Sequence, residues 1–417
     1  MRNQTACRGI FNKGISLIAV VIVMMIVATL ALLVASTIST GSRSAAIDMQ
    51  AQRAFYVAEA GIQRALFELS KGGGTWTGWS GTDPKTKQET FTGCGDYDIS
   101  IASPIGSTPT ITSTGYVPSR TATNHTVRVT YLTVTKTNIF GSYAAFGGGS
   151  GGGSSIGASL IGNSYTDSYD SSIGLYNVNG NIGLNGDIGT NADISVGGTA
   201  NIGGDAITGS SGTFSDQSHV SGSIAHDANV TFAPVVVPAS LTVLASEGTI
   251  SSTVTPITGD HKYVAFTPKN KDTITITGPA NIYITGSTSM NVKNGGAITV
   301  SSSSTGPVVI YFDGDLDIKG DVNNLTYIPS NLQMYGSNSA SQEISITSQS
   351  DMYAAVYAPK GALVFHGQGQ LYGSFIGDTM GMWGGSALHH DGDLATESDL
   401  PSFIPGIFRP GNWKEIY

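Results

Sequence analysis

Cysteine is nearly absent from this chain, with two in 417 residues, Cys7 and Cys94. Charge is sparse too: 12% of residues are charged, and the formal net charge is −9. A weakly charged, acidic body offers no footprint for nucleic acid, which needs clustered Lys and Arg. Aromatics reach only 8%. There is no G-x-S-x-G, no Walker loop and no H-E-x-x-H, which removes the commonest hydrolase, nucleotide-binding and zinc-protease signatures. What the chain has in plenty is glycine, 55 residues, and a length too great for one small domain.

The N-terminus carries the strongest pattern. A short basic segment ends in Lys13-Gly14, and an unbroken apolar run starts at Ile15 and continues to about Ser36. From Ile15 through Gln50 only Arg43 and Asp48 are charged. Such a run, roughly 22 residues, crosses a ~30 Å hydrocarbon core as a helix. An ordinary secretory signal has an apolar core of only ~7–15 residues. The basic leader keeps the N-terminus cytoplasmic and turns the body outward.

Helical periodicity continues past the apolar run. Ile47, Ala51, Ala54, Phe55, Ala58, Ile62, Ala65, Leu66 and Leu69 fall on one stripe. Gln50, Arg53, Gln63, Arg64, Glu68 and Lys71 fall on the other side, with Arg64 and Glu68 as an (i, i+4) pair. Gly72-Gly73-Gly74 ends the helix. One half suits lipid; the other half needs a packed partner, with Phe55, Ala58, Ile62 and Leu66 as its expected buried face.

The Lys13-Gly14-Ile15 junction resembles the class III leader of type IV pilins and pseudopilins. That resemblance implies cleavage by a prepilin peptidase between Gly14 and Ile15, methylation of the new N-terminus, and anchoring in the bacterial inner membrane before assembly into a surface filament. Phe55-Tyr56-Val57-Ala58-Glu59-Ala60-Gly61 is similar to the AEAG segment of PilX-type minor pilins and K-type pseudopilins, with Ala58, Glu59, Ala60 and Gly61 as the motif. Most major pilins carry glutamate at the fifth mature position, where this chain has Ala19. The departure implies a minor subunit at a tip or at initiation. The implied partners are the prepilin peptidase, other major and minor pilins and the inner membrane, with an extracellular surface or glycan as the candidate contact of the head. No nucleic acid is implied. Loss of residues 1–14 would remove Arg2, Arg8 and Lys13, taking the charge from −9 to −12, and would leave Cys94 alone. A single thiol makes neither an intrachain disulfide nor a Cys-based zinc site.

Beyond the helix the period changes to two. Tyr97–Ile101, Ile111–Tyr116 and Thr126–Thr135 alternate and predict a small antiparallel sheet over 75–137, laid on the stem. Gly147 to Ser155 reads as a flexible Gly/Ser linker, assigned to 138–160, or as a glycine-rich first turn into the next domain. From Asn181 a six-residue frame places Ile182, Ile188, Ile194, Ala200 and Ala206 at equal spacing, usually after Asn or Asp. Hexads with small corner residues spell a parallel β-helix, with Ile182, Ile188 and Ile194 inward and Asn185 and Asp187 at turns. The fold class is therefore α+β: a long pilin-type helix (15–72), a small antiparallel sheet, and a β-solenoid head (161–400).

The run from Met352-Tyr353 to Ala358-Pro359, then Leu371–Gly377 and His389-His390-Asp391, resembles a C-terminal β-helical domain of unknown function that accompanies PilX-type N-termini. The resemblance spans about Tyr165 to Leu394. The tail, 401–417, is expected to cap the open end of the solenoid.

Candidates for chemistry are few. His389, His390 and Asp391 are possible metal ligands or acid–base groups, but neighbours on a strand point to opposite faces, so corner or surface roles are expected and His390 should tolerate change. Asp313, Asp315 and Asp317 alternate as oxygen ligands for calcium would, with solvated surface as the plainer reading. No cofactor and no catalytic residue is indicated. The function expected is a minor pilin of a type IV pilus or related pseudopilus; a membrane-tethered polysaccharide-active β-helix and a stand-alone adhesin are the alternatives.

Overall fold

The computed structural model describes residues 11–70, 76–104, 108–149, 156–347, 350–397, 400–401 and 403–416. The chain forms two units, one built on the N-terminal helix and the other comprising 135–409.

The first unit begins with α1 (Phe11–Ser70), about 90 Å long at ~1.5 Å per residue. Its early apolar side chains, Leu17 to Val34, are exposed, and the helix is long and apolar enough to cross a membrane. The hydroxyls there turn back on the helix: Thr29 donates to the Ile26 carbonyl, Ser36 and Thr37 to Leu33, and Thr40 to Ser36. That removes polar groups from the surroundings, as hydrocarbon requires.

Four antiparallel strands follow: β1 (Lys85–Phe91), β2 (Gly95–Ala102), β3 (Thr110–Val117) and β4 (Thr126–Asn138). A fifth strand, Gly406–Ile416, covers the edge of β4, with Arg128 3.4 Å from Glu415. The C-terminal segment is therefore a sheet strand and not a solenoid cap, because its extended residues complete an edge that would otherwise be unpaired.

The second unit is a three-sided parallel β-helix. One column of paired residues runs through it: Ile224, Ala206, Ile188, Ala145, Phe375, Val356, Met334, Ile310, Ile282. Their numbers expose an unusual path. The chain enters mid-solenoid at Ala145–Gly147 and winds outward to Ile224–Ala228. It then crosses to the far end through 229–245 and winds back until Gln370–Gly384 lies against its own first strand.

The crossing segment lies on the outer face, where Val230, Phe232, Val235, Val237 and Leu241 pack with Tyr311, Tyr335 and Tyr357. Asn191 pins it through bonds to the Val230 carbonyl and N–H (2.7 and 2.8 Å), and the Tyr357 hydroxyl donates to Ala233 O at 2.7 Å.

The strands Ala145–Gly147 and Ile156–Gly162 belong to the solenoid, so the glycine-rich stretch is an entry into the head and not a free linker over 138–160; 150–155 lie outside the described residues. In the first arm the last two coils take 18 residues each, from Ile188 to Ala206 and from Ala206 to Ile224, which is three hexads, one per side. Asp187 and Asp205 serve the corners, each carboxylate accepting the N–H one coil on (Asp205 at 2.8 Å, Ser223 at 2.6 Å). The interior is Ile, Val, Leu, Met and Phe, including Ile188 and Ile194.

Ile182 is the exception: it is 47% exposed. Residues 170–187 leave the coil as a loop, bridged back by Ser168 and Gly183, so this apolar residue sits in the hexad frame without entering the interior.

Candidate functional site

Two regions gather the residues that sequence singles out. On the stem, Gly14 and Ile15 fall inside α1. The stripe facing the small sheet is Ala54, Val57, Ala58, Gly61, Ile62 and Ala65, all buried. Phe55 and Leu66 are half-buried at its edge, Ile47 is exposed, and Phe55 meets Trp413 edge-on at 5.5 Å.

Small residues here have a geometric cause. A Cβ on Gly115 of β3 would lie 2.2 Å from the Ala54 carbonyl oxygen, and one on Gly61 would lie 2.1 Å from Ser113 Oγ. Sheet and helix backbones approach too closely for side chains, which accounts for Ala58 and Gly61 of the motif. Glu59 and Ala60 turn to the half-exposed flank. Glu68, expected on the polar side, is instead 6% exposed. Its ion pair with Arg64 at 2.8 Å makes that burial tolerable.

On the head, His389, His390 and Asp391 lie on one fully buried strand, Ala387–Asp391. They do not converge. His389 Nδ1 is 2.5 Å from Asp167 Oδ1, and its Nε2 is 2.6 Å from Gln370 Oε1. The ring lies against Tyr176 at 3.9 Å and Tyr372 at 4.8 Å. Tyr176 also donates to Asp167 Oδ2 at 2.6 Å. Asp391 accepts N–H bonds from Ser171 and Asp393, and burial pushes its pKa up.

His390 is not a surface or corner residue. It is 3% exposed, with its two ring nitrogens 2.9 and 2.8 Å from the Asn185 and Phe140 carbonyls. These partners come from segments far away in sequence, a linkage that strand alternation alone does not reveal. Asp313, Asp315 and Asp317 also separate: Asp313 accepts from Tyr283 and Ser337, Asp315 from the Glu343 N–H, and Asp317 pairs with Lys319 at 2.7 Å.

Burial pulls the His390 pKa below its ordinary 6.5. The folded head then binds fewer protons there than the unfolded chain, so stability present above pH ~6.5 is lost as pH falls toward the folded-state value. Read from thermal unfolding, the stabilities of wild type and a His390→Gln variant should converge on acidification from pH 7 to 5, by at most about 1.4 kcal/mol per pH unit for one proton, while the raised pKa of Asp391 pushes the other way in both proteins. The variant should start lower. Equal pH profiles of the two proteins over this range would contradict the assignment.

Residues 250–397 match a family described as a domain of unknown function (DUF7305). The matched segment corresponds to the returning arm of the solenoid. No curated protein and no solved structure matches the chain.

Proposed function

We propose that this protein is a minor pilin: a prepilin-type subunit, cut between Gly14 and Ile15, held in the inner membrane by α1 and then built into a type IV pilus or related pseudopilus that carries the β-solenoid head outside. The observation that carries this reading is the apolar run that begins directly after Lys13-Gly14, on a helix that continues without a break into the half that bears the sheet. A lipid-embedded first half and a sheet-covered second half are the parts a filament stem needs. His389, His390 and Asp391 are each engaged in bonds that tie distant segments together, and the reading is non-enzymatic.

Ala19 stands where a carboxylate would meet a neighbour's N-terminal ammonium in lipid. The subunit should therefore be sparse in the filament. Quantitative mass spectrometry of sheared filaments should find it at least tenfold below the major subunit, and immunogold should label ends. Labelling along the whole shaft, or near-equal abundance, would remove the tip assignment.

A further inference from the structure

The loop 170–187 combines exposed apolar side chains with a fixed shape. Between Ser171 and Gly186 it has no charged residue, and it leaves Ile173 75% and Ile182 47% exposed. The loop is nevertheless held in one shape. Asn181 donates to the Asp170 and Gly174 carbonyls at 2.9 and 2.8 Å and accepts the Asp170 N–H at 3.1 Å. Between this loop and the strand carrying His390 lies a cavity of about 600 Å³, within the ~300–1,000 Å³ typical of small-ligand sites.

The lining has a definite chemistry. The polar lining residues include Asn179, Asn185 and two carboxylates, Asp170 and Asp187, and the aliphatic ones are Ile173 and Ile182. Neither amide has a hydrogen-bond partner among the described residues, and one oxygen of Asp170 is used by Ser172. No Lys or Arg lines the cavity, and His390, the one basic side chain there, has both ring nitrogens on backbone carbonyls, while Asp170 and Asp187 would repel a bound anion. Amides and a carboxylate suit vicinal hydroxyls, and the aliphatic wall suits a methyl group.

We propose that this cavity binds a neutral glycan unit bearing an acetamido group, with the sugar hydroxyls on Asn179, Asn185 and Asp170 and the acetamido methyl against Ile173 and Ile182. The site goes beyond the stem-based reading and stands without it. Because the loop is already fixed by Asn181, little ordering is required on binding.

The test uses the full chain, purified in a detergent without a sugar headgroup and titrated calorimetrically with chitotriose and, separately, with a uronate trimer. Saturable binding of chitotriose and none of the uronate is expected. Asn185→Ala should weaken chitotriose binding at least tenfold, and so should Ile173→Asp, whose exposed position keeps the fold intact even if Asn185→Ala does not fold. Absence of saturable chitotriose binding, equal binding of the uronate, or an Ile173→Asp variant that binds like wild type would each overturn the proposal. None of these outcomes bears on processing at Gly14–Ile15.

Discussion

Replacing Gly115 by valine is expected to detach α1 from its sheet and give a protein that does not accumulate. A Cβ at this position meets backbone atoms of the helix, the Ala54 carbonyl oxygen at 2.2 Å and the Ala58 nitrogen at 2.7 Å. No rotamer relieves a clash with backbone, so helix and sheet must separate, and Ala54, Val57, Ala58 and Ile62 lose burial. Overpacking in a dense core costs about 1–3 kcal/mol even where side chains can yield, and here the loss should reach the upper end or beyond. Thr114→Val, half-buried on the opposite face of the same strand, is the matched control and should stay within about 0.5 kcal/mol. Quantitative blotting of membrane fractions compares the two; equal levels would mean that the helix does not ride on this strand.

The second large effect separates two isoleucines that sequence spacing makes equivalent. Ile188 is fully buried and pairs with Ala145 on one side and Ala206 on the other. It therefore lies beside the strand through which the chain enters the solenoid. Ile188→Asp would place an unpaired charge in an aliphatic interior, at a cost of several kcal/mol, on the order of 4–5. Ile182→Asp, on the exposed loop, should cost less than about 1 kcal/mol. Thermal unfolding of the purified full chain should show the head transition lost or lowered by roughly 10 °C or more in the first variant, and nearly unchanged in the second. Similar melting of the two would restore the plain hexad reading.

The difference between those isoleucines shows what a sequence of this kind makes legible. The stem was readable because a 3.6-residue period is local: Ala54, Ala58, Ile62 and Ala65 find their neighbours within one helix face. Hexads were readable where a coil takes 18 residues and each side repeats the last. Toward the far end the coils lengthen, with 28 residues from Ile282 to Ile310 and 24 from Ile310 to Met334. The extra residues enter corners and dissolve the frame, although alternation still marks Asp315–Ile318 and Val308–Phe312 stands out as an unbroken apolar run.

Long-range pairing left no local trace. That Phe375 pairs with Ala145, and that 229–245 is the crossing between the arms, follows from no periodicity. The bonds of His390 to Phe140 and Asn185 are of the same kind. Glu68 departs from the pattern because charge assigns a residue to the surface only until an ion pair such as that with Arg64 offsets its burial. Ile182 keeps the hexad frame but is carried by a loop, and that loop frames the proposed glycan cavity. Failures of pattern at such positions are where function is to be sought.

Every proposal for the stem begins at one peptide bond, Gly14–Ile15. The direct measurement is the N-terminal sequence and intact mass of the protein isolated from its native membranes. A chain that starts at Ile15 with a methylated amine is the result expected. A chain that retains Met1, or one that starts after Ser36, would contradict the minor-pilin reading.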